Sequence, residues 1–263
     1  MNKKVTMSDI AKMCNVSVAS VSYVLNQKEN SRISEETKQK ILQMANLYMY
    51  RSNPYARSLA TGEMHNILFF YEEIDFYLYK ADILNFMNQL STYLRPFKYN
   101  IIVAPNNQIT KYNYVDAIIT YRIDKTTFKK LGEINFIPLI SLDCVINDNL
   151  FFEINNSFNN VLNENNFIYL SFPYKDEKIT NFLKNKANIY FIDNLNTLND
   201  VLNNNLDKTI FCLNHELSSY LDSINVKHTY LELNNSSKFK AISDALNYSI
   251  NREETSTHQF IID

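Results

Sequence analysis

Short apolar runs alternate with amphipathic stretches over most of this chain. Apolar runs of about four to eight residues between turn residues are typical of buried strands, and the stretches between them have helical spacing. Strands that alternate with helices pair in parallel, because each crossover helix covers a face of the sheet. The predicted strands are 66–71, 99–104, 115–121, 136–142, 167–172, 188–192, 209–213 and 226–231. The predicted helices are 81–94, 126–131, 176–184, 215–223 and 239–251.

This alternation predicts parallel α/β sheets with both faces covered by helices. The connection between Ala104 and Val115 is too short for a crossover helix, so we expect a reduced fold. The chain has two glycines, Gly62 and Gly132. Most turns are therefore expected to use Asn and Asp.

The N-terminal residues have a different pattern, that of short helices with polar caps. Thr6 precedes the first helix, and Asp9 completes a capping box with it. Asn15 lies in the following turn, where it tolerates a left-handed backbone better than other non-glycine residues. Ser17 and Ser34 are in position to cap a second and a third helix. The sequence therefore predicts two helices joined by a three-residue turn, with a third helix behind them.

Charge is distributed unevenly along the chain. Residues 1–62 carry nine Lys or Arg and four acidic residues, a net charge of +5, whereas the remainder carries −7. A basic segment of this kind favours a polyanion partner, because each phosphate neutralised by Lys or Arg releases counterions. On charge alone, an ordinary solvated surface is an equal alternative.

The composition also indicates a compartment. No apolar run reaches the roughly 18 residues that a membrane span requires, so we expect no membrane partner. The N-terminus lacks the apolar segment of a secretory signal. Cys14, Cys144 and Cys212 form an odd and widely spaced set, which is typical of a reducing environment. We therefore expect a cytoplasmic protein.

The pair of N-terminal helices could also be a simple helical hairpin, and residue identities decide between the two interpretations. The chain closely resembles the N-terminus of LacI/GalR (lactose-repressor/galactose-repressor) family transcriptional regulators over about 60 contiguous residues, without a gap. The segments that carry the resemblance are 5–11, 15–26, 34–37 and 50–60. The resemblance implies a helix-turn-helix DNA-binding domain at 1–50, a hinge helix at 51–62 and a two-lobe effector-binding and dimerisation domain at 63–263. It also implies two α/β units in series within that body, with the change of lobe near residues 143–155.

The resemblance implies that the second helix enters the major groove of DNA, with Val18, Ala19 and Ser20 at the base edges. Valine and alanine suit thymine methyl groups, and a serine hydroxyl serves several bases. Tyr23 stands where many members of the family have arginine, so we do not expect the usual operator of the family. The residues at family positions that contact phosphates are Thr6, Ser8, Ser17, Ser22 and Asn26.

The hinge segment begins with Asn53 and Pro54, which suit the N-cap and first position of a short helix. Such a short helix is marginally stable in water. In the family, the equivalent segments of two subunits fold together on DNA, and a leucine that matches Leu59 enters the minor groove and kinks the duplex. Ordinary packing of a linker helix is the alternative for Leu59. The residues expected to contact DNA here are Asn53, Ala56, Arg57 and Leu59.

In relatives, polar groups at the carboxyl ends of strands contact the effector in the cleft between lobes. Asp143 matches an effector-contacting aspartate of the family. Lys178 stands where arginine is usual, and Asn214 and His215 stand where Asn and Asp are usual. Lysine lacks the planar fork of arginine, and histidine cannot replace a carboxylate acceptor. A solvated polar group is therefore the alternative for Asp143, Lys178 and Asn214.

Together, these features predict an all-α helix-turn-helix head plus a reduced α/β two-lobe, periplasmic-binding-protein-like body with parallel sheets. The predicted function is a sequence-specific transcription repressor that binds a pseudo-palindromic operator in double-stranded DNA as a homodimer and responds to a small sugar-like effector. One alternative is a body that only dimerises, without ligand or under control of a protein partner. A second, an enzyme with a DNA-binding head, has no catalytic constellation to support it.

We expect neither a metal nor a cofactor. The four histidines have no spacing typical of metal ligands, and there is no CxxC pair. Glycine-rich phosphate-binding loops need more than the two glycines in this chain.

Overall fold

The structure is a computed structural model that describes residues 5–25, 33–48, 50, 64–72, 74–104, 109–159, 161, 166–233, 235–251, 255 and 257–263. The chain divides into two compact units, Met1–Glu63 and Met64–Asp263, which we call the head and the body. The expected hinge, 51–62, lies outside the described residues. None of the helices that the structure describes is long and apolar enough to cross a membrane.

The head contains helices α1 (Met7–Cys14), α2 (Val18–Leu25) and α3 (Glu35–Leu47). The predicted capping box is confirmed, because the backbone N–H of Thr6 donates to Asp9 Oδ2 at 2.9 Å and that of Asp9 donates to Thr6 Oγ1 at 3.2 Å. Asn15 has a φ of 56°, the left-handed conformation predicted for the turn. Local sequence thus determines both where α1 starts and the left-handed turn that ends it.

One small core holds the three helices together. Its central residue, Ile10, is completely buried, and Ala11 lets the helices approach closely. The buried residues of the head core are Ile10, Ala11, Cys14, Val21, Ile41 and Ala45. Helix α2 contributes Val21 to the fully buried set, while its residues Val18, Ala19 and Tyr23 are exposed and available for contacts outside the head.

We expect Thr6→Ala to destabilise α1 by about 1 kcal/mol, because the capping hydrogen bond to the Asp9 amide is lost. Hydrogen exchange of the α1 amides in the full chain, without DNA, measures this effect. Thr92→Ala, a change at an exposed position on a helix of the body, is the matched control and should leave exchange in α1 unchanged. Equal protection of α1 in Thr6→Ala and the unaltered chain would contradict the expectation.

In the part of the body that the structure describes there are two sheets, and all their strands pair in parallel. The first sheet has the order β10-β5-β4-β3-β1-β2. Its strands are β1 (Asn66–Tyr71), β2 (Asn100–Val103), β3 (Ala117–Tyr121), β4 (Leu139–Leu142), β5 (Phe152–Asn156) and β10 (Gln259–Ile262). Ile67 of β1 lies opposite Ile101 and Ala117, which sets the register of the centre of this sheet.

The second sheet has the order β7-β6-β8-β9. Its strands are β6 (Phe167–Ser171), β7 (Ile189–Phe191), β8 (Thr209–Cys212) and β9 (Thr229–Tyr230). The helices of the body are α4 (Tyr77–Leu94), α5 (Lys125–Ile134), α6 (Glu177–Lys186), α7 (Leu195–Asn203), α8 (His215–Ser223) and α9 (Asn235–Asn251). A 3-10 turn, Arg95–Phe97, follows α4. The predicted class, an α-helical head with an α/β body of two parallel sheets, is confirmed.

The largest core cluster of the body includes residues from both lobes. Phe76 and Tyr79, at the start of α4, pack edge-to-face on Phe172, which follows β6, with ring centroids 5.9 and 5.5 Å apart. Such aromatic pairs add stabilisation beyond the area that they bury. The two lobes are therefore joined by packed apolar side chains as well as by the chain itself.

The sequence missed three elements. Strand β5 alternates apolar residues with the buried Glu153 and Asn155, so it lacks a continuous apolar run. Strand β10 is a short edge strand formed by pairing with β5 alone. Helix α7 buries only Leu198 and Val201 and is rich in asparagine. Because β5 belongs to the first sheet, the chain passes to the second lobe only after β5, which is later than predicted.

Other boundaries also differ. The predicted strand 226–231 is reduced to the two residues of β9, and 136–142 to β4, because Phe136 is exposed. As predicted, the described residues between Ala104 and Val115 contain no helix. Asparagine and aspartate supply only part of the turns: Arg122, Phe158 and Lys98 also have positive φ.

Candidate functional site

The first candidate surface is the N-terminal end of α2. Ser17 caps this helix, since its Oγ accepts a hydrogen bond from the Ser20 amide at 3.0 Å. Val18 is 47% exposed, Ala19 is exposed and Ser20 is half-buried. Three of the residues expected to face base edges thus lie together on one accessible turn of helix, whose amide groups also favour a phosphate.

The hydroxyls expected to contact phosphates are partly engaged within the head. Thr6 Oγ1 donates to Asp9 Oδ2 at 2.7 Å, and the hydroxyls of Ser17 and Ser20 lie 2.9 Å apart. A serine hydroxyl has one donor and two acceptor sites, so capacity for a further partner remains. Ser8 is exposed on α1 and Tyr23 is 40% exposed on α2. Ser22 is half-buried, and Asn26, Asn53, Ala56, Arg57 and Leu59 lie outside the described residues.

The second candidate site is a cleft of about 330 Å³ in the body. Its walls are formed by α4 and the end of β3 in the first lobe and by the residues that follow β8 and β9 in the second. This position, beyond the carboxyl ends of parallel strands, is where α/β proteins commonly bind ligands. Its volume lies at the lower end of the range for small-molecule sites.

Asp143 lies directly after β4 and is 1% exposed. Its Oδ1 accepts from Lys238 Nζ at 2.8 Å and from Asn156 Nδ2 at 3.3 Å. Its Oδ2 lies 3.6 Å from Arg122 Nε. The residue expected to contact an effector is therefore the centre of a buried ionic group next to the cleft.

Arg122 and Lys238 contact different oxygens of the Asp143 carboxylate. The Arg122 guanidinium lies 4.5 Å from the ring of Tyr174, in the other lobe, and its Nη2 donates to the Tyr174 hydroxyl at 3.3 Å. Burial lowers the pKa of the Lys238 ammonium, and Asp143 opposes this shift. Burial also raises the pKa of the Tyr174 phenol, so it stays protonated and accepts from the guanidinium. Both cations thus remain paired away from solvent.

Asn214 joins the lobes at the cleft wall. Its Oδ1 accepts from the Phe172 amide at 2.8 Å, and its Nδ2 donates to Asp82 Oδ2 on α4 at 3.2 Å. Burial raises the pKa of Asp82, while Arg122 and the Asn214 hydrogen bond lower it. Asn214 therefore lines the cleft. Asp143 is not among the lining residues and is joined to the cleft through Arg122 and Lys238, which are. Lys178 is exposed on α6 and is also absent from the cleft lining.

Sequence reasoning missed Asp82, Arg122 and Lys238. Arg122 directly follows the apolar β3, a strand-end position like that of Asp143 after β4, and this position could have identified it. Both residues also have positive φ, 53° and 54°, a conformation that costs a non-glycine residue about 1–2 kcal/mol. Asp82 and Lys238 lie on helices whose predicted starts were wrong: α4 begins four residues earlier, and α9 includes Lys238.

Comparison with known proteins gives a match at the head. Residues 6–53 match the family model described as "Bacterial regulatory proteins, lacI family". The chain is 34% identical over 155 residues to the probable HTH-type transcriptional repressor ExuR of Bacillus subtilis (strain 168), covering 55% of this chain and 44% of that protein. It is 31% identical over 103 residues to the sucrose operon repressor of Klebsiella pneumoniae, covering 39% of this chain and 30% of that protein. The chain thus spans less than half the length of either relative.

The fold comparison extends over both units. A lac repressor dimer bound to operator and the anti-inducer ONPF has a TM-score of 0.59 with 13% identity, covering 99% of this chain and 96% of that one. The lac repressor bound to ONPG in the repressed state has a TM-score of 0.62, also with 13% identity, covering 99% and 97%. At this identity the likeness concerns the fold alone. The expected resemblance to LacI/GalR regulators is confirmed by sequence in the head, and the body shares the fold of the lac repressor.

Proposed function

We propose that this chain, a LacI/GalR-family regulator by its head and by the fold of its body, is a sequence-specific DNA-binding transcription repressor. It binds a pseudo-palindromic operator as a homodimer, and it acts in the cytoplasm, where that DNA is found. The observation that carries the proposal is the exposed N-terminal turn of α2 in a helix-turn-helix that matches the family model. Both similar proteins are named as repressors, and the lac repressor structure is described as a dimer on its operator.

In this proposal α2 lies in the major groove. Val18 and Ala19 contact apolar base edges such as thymine methyl groups, and Ser20 adds a hydrogen bond. Tyr23 occupies a nearby exposed position on the same helix. The phosphate contacts, which set register without reading sequence, come from Thr6, Ser8, Ser17, Ser22 and Asn26.

We also propose that segment 51–62 forms a hinge on DNA, between the DNA-binding domain at 1–50 and the body at 63–263. Asn53, Ala56, Arg57 and Leu59 would contact the minor groove, with Leu59 between base steps. Support for this part comes from the sequence resemblance alone, since these residues lie outside the described ranges.

The body dimerises and binds a small sugar-like effector in the cleft beside Asp143 and Asn214. The volume of the cleft and its buried polar groups support this assignment. Lys178 would contribute only if the lobes rearranged, because its side chain is exposed on α6.

One observation favours the alternative of a body that only dimerises. Phe76 and Tyr79 of one lobe pack on Phe172 of the other, and Asn214 bonds directly to Asp82. A body closed in this way needs no ligand to hold its lobes together. Calorimetry with sugars separates the two functions, since the alternative predicts no binding.

Selection from random DNA duplexes tests the proposed function. The purified full chain should enrich an inverted repeat whose half-sites lie about one helical turn, roughly 10 base pairs, apart or a multiple of it. Enrichment of a single unrepeated site would contradict the dimer, and failure to enrich any sequence at moderate salt would contradict sequence-specific binding.

A further inference from the structure

The second lobe has its own pocket, of about 340 Å³, at the edge of its sheet that lies opposite the cleft. Strand β8 begins at this pocket with Thr209 and ends at Cys212, two residues before Asn214 in the cleft lining. Strand β9 also begins here, with Thr229. We call this space the β8 pocket. It shares no lining residue with the proposed effector site.

Part of the lining of the β8 pocket is apolar. Ile210 is buried there, and Leu202 and Val226 are half-buried and pack against the main core of the body. Leu206 follows α7 and is 85% exposed, so its side chain adds little to that core. Together these four side chains offer a ligand an apolar surface that it can cover on binding.

The charged residues that line the β8 pocket have one sign. Lys227 is exposed and Lys208 is half-buried, and none of the described lining residues is acidic. Asp207 precedes Lys208 along the chain but is not part of the lining. This local positive charge contrasts with residues 63–263 as a whole, which carry a net charge of −7. A concave site lined by cations favours an anionic ligand.

His228 also lines the pocket, and contacts within the protein hold its ring in place. Its Nδ1 lies 2.9 Å from the carbonyl oxygen of Val226, and its Nε2 lies 2.6 Å from the hydroxyl of Ser218 on α8. Asp222 approaches Nδ1 to 3.9 Å and is itself largely exposed. His228 therefore forms part of the wall, and the charge that a ligand meets comes from the two lysines.

The lysines are not required to cap the helices that end at this edge. Carbonyl groups in the last turn of a helix attract cations, and α7 and α8 both end here. The carbonyls of Val201 and Leu202 already accept from Asn205, from its Nδ2 at 2.8 Å and from its amide at 3.2 Å. The Leu221 carbonyl accepts from the Val226 amide at 3.0 Å.

We propose that the β8 pocket binds a small amphiphilic anion. Its apolar part covers Leu206 and Ile210, and its carboxylate or phosphate interacts with Lys208 and Lys227. Lysine has a compact charge on a flexible stem, so it serves either kind of anionic group. The inference does not rest on the proposed function, because the pocket contains neither the DNA-contacting residues nor those of the cleft.

Isothermal titration of the full chain at about 0.05 M salt, where surface charges are weakly screened, tests the inference. The probes are 4-phenylbutyrate, 3-phenylpropyl phosphate and the neutral 4-phenylbutanamide, with acetate and inorganic phosphate as anions that lack an apolar part. At least one amphiphilic anion should bind with a Kd of about 1 mM or tighter. The amide should bind about five-fold more weakly, and acetate and inorganic phosphate about ten-fold more weakly or worse.

Two variants at exposed positions assign the binding to this pocket. Lys227→Gln should weaken binding of the anion about three-fold and leave the amide unchanged. Leu206→Ser should weaken binding of both about three-fold, because apolar contact is lost. The matched controls are Lys130→Gln and Leu150→Ser, the same substitutions at exposed positions outside the pocket, and neither should change binding.

The inference is overturned if neither amphiphilic anion binds, if the amide binds as tightly as the anions, or if Lys227→Gln and Leu206→Ser both leave binding unchanged. Duplex selection with the same two variants should give the operator of the unaltered chain. Failure of this inference therefore leaves the proposed function standing, and failure of sequence-specific DNA binding leaves the inference standing.

Discussion

Asp143→Asn is expected to lower the free energy of unfolding of the body by about 3–5 kcal/mol, because it leaves the buried Lys238 ammonium without its carboxylate partner. Asparagine has nearly the same shape, so packing is preserved and the loss is electrostatic. The asparagine side chain would offer the Lys238 ammonium only an uncharged carbonyl oxygen as an acceptor. For a body of this size the change corresponds to a fall in Tm of about 6–20 °C.

Thermal unfolding of the full chain, followed by circular dichroism, measures this loss. Asp200→Asn removes the same charge from an exposed position on α7 and should stay within about 0.5 kcal/mol of the unaltered chain. Adding Lys238→Met to Asp143→Asn should restore about half of the loss or more, because Arg122 can still balance Asp82. A Tm for Asp143→Asn equal to that of Asp200→Asn would show that the buried ionic group contributes little to stability.

Val18→Ala together with Ser20→Ala is expected to change which operator the chain prefers, by about ten-fold in relative affinity. The two substitutions remove an apolar base contact and a hydrogen-bonding hydroxyl. The head core is unaffected, because Val18 is exposed and Ser20 does not belong to it. Duplex selection with the variant, compared with the unaltered chain, measures the change.

Lys12→Gln is the control for this prediction. Lys12 is exposed at the end of α1, so its loss should weaken binding to all sequences alike and reduce the salt dependence. An unchanged sequence preference in the Val18 and Ser20 double variant would show that α2 is not the helix that contacts the base edges.

The head could be predicted closely because its structure is determined by local chemistry. The capping box of Thr6 and Asp9, the left-handed Asn15 and the cap at Ser34 each depend on residues within three or four positions along the chain. The same holds for the alternation of strands and helices in the body, which follows from the period of apolar residues.

The cleft could be predicted only in part. Asp143 and Asn214 were identified because they match effector-contacting positions of the family at strand ends, but their partners in the structure come from distant segments. Lys238 lies 95 residues from Asp143, and Tyr174 lies 52 residues from Arg122. Strand β10 likewise exists because it pairs with β5 after the chain returns to the first lobe. No local pattern encodes such pairings.

The most direct test of the central claim is the mass of the complex that the full chain forms on a duplex containing the selected inverted repeat. Light scattering at about 0.15 M salt should show two chains for each duplex, and a shuffled duplex should bind at least about 10³-fold more weakly. One chain for each duplex, with equal affinity for the shuffled sequence, would contradict a dimeric, sequence-specific repressor.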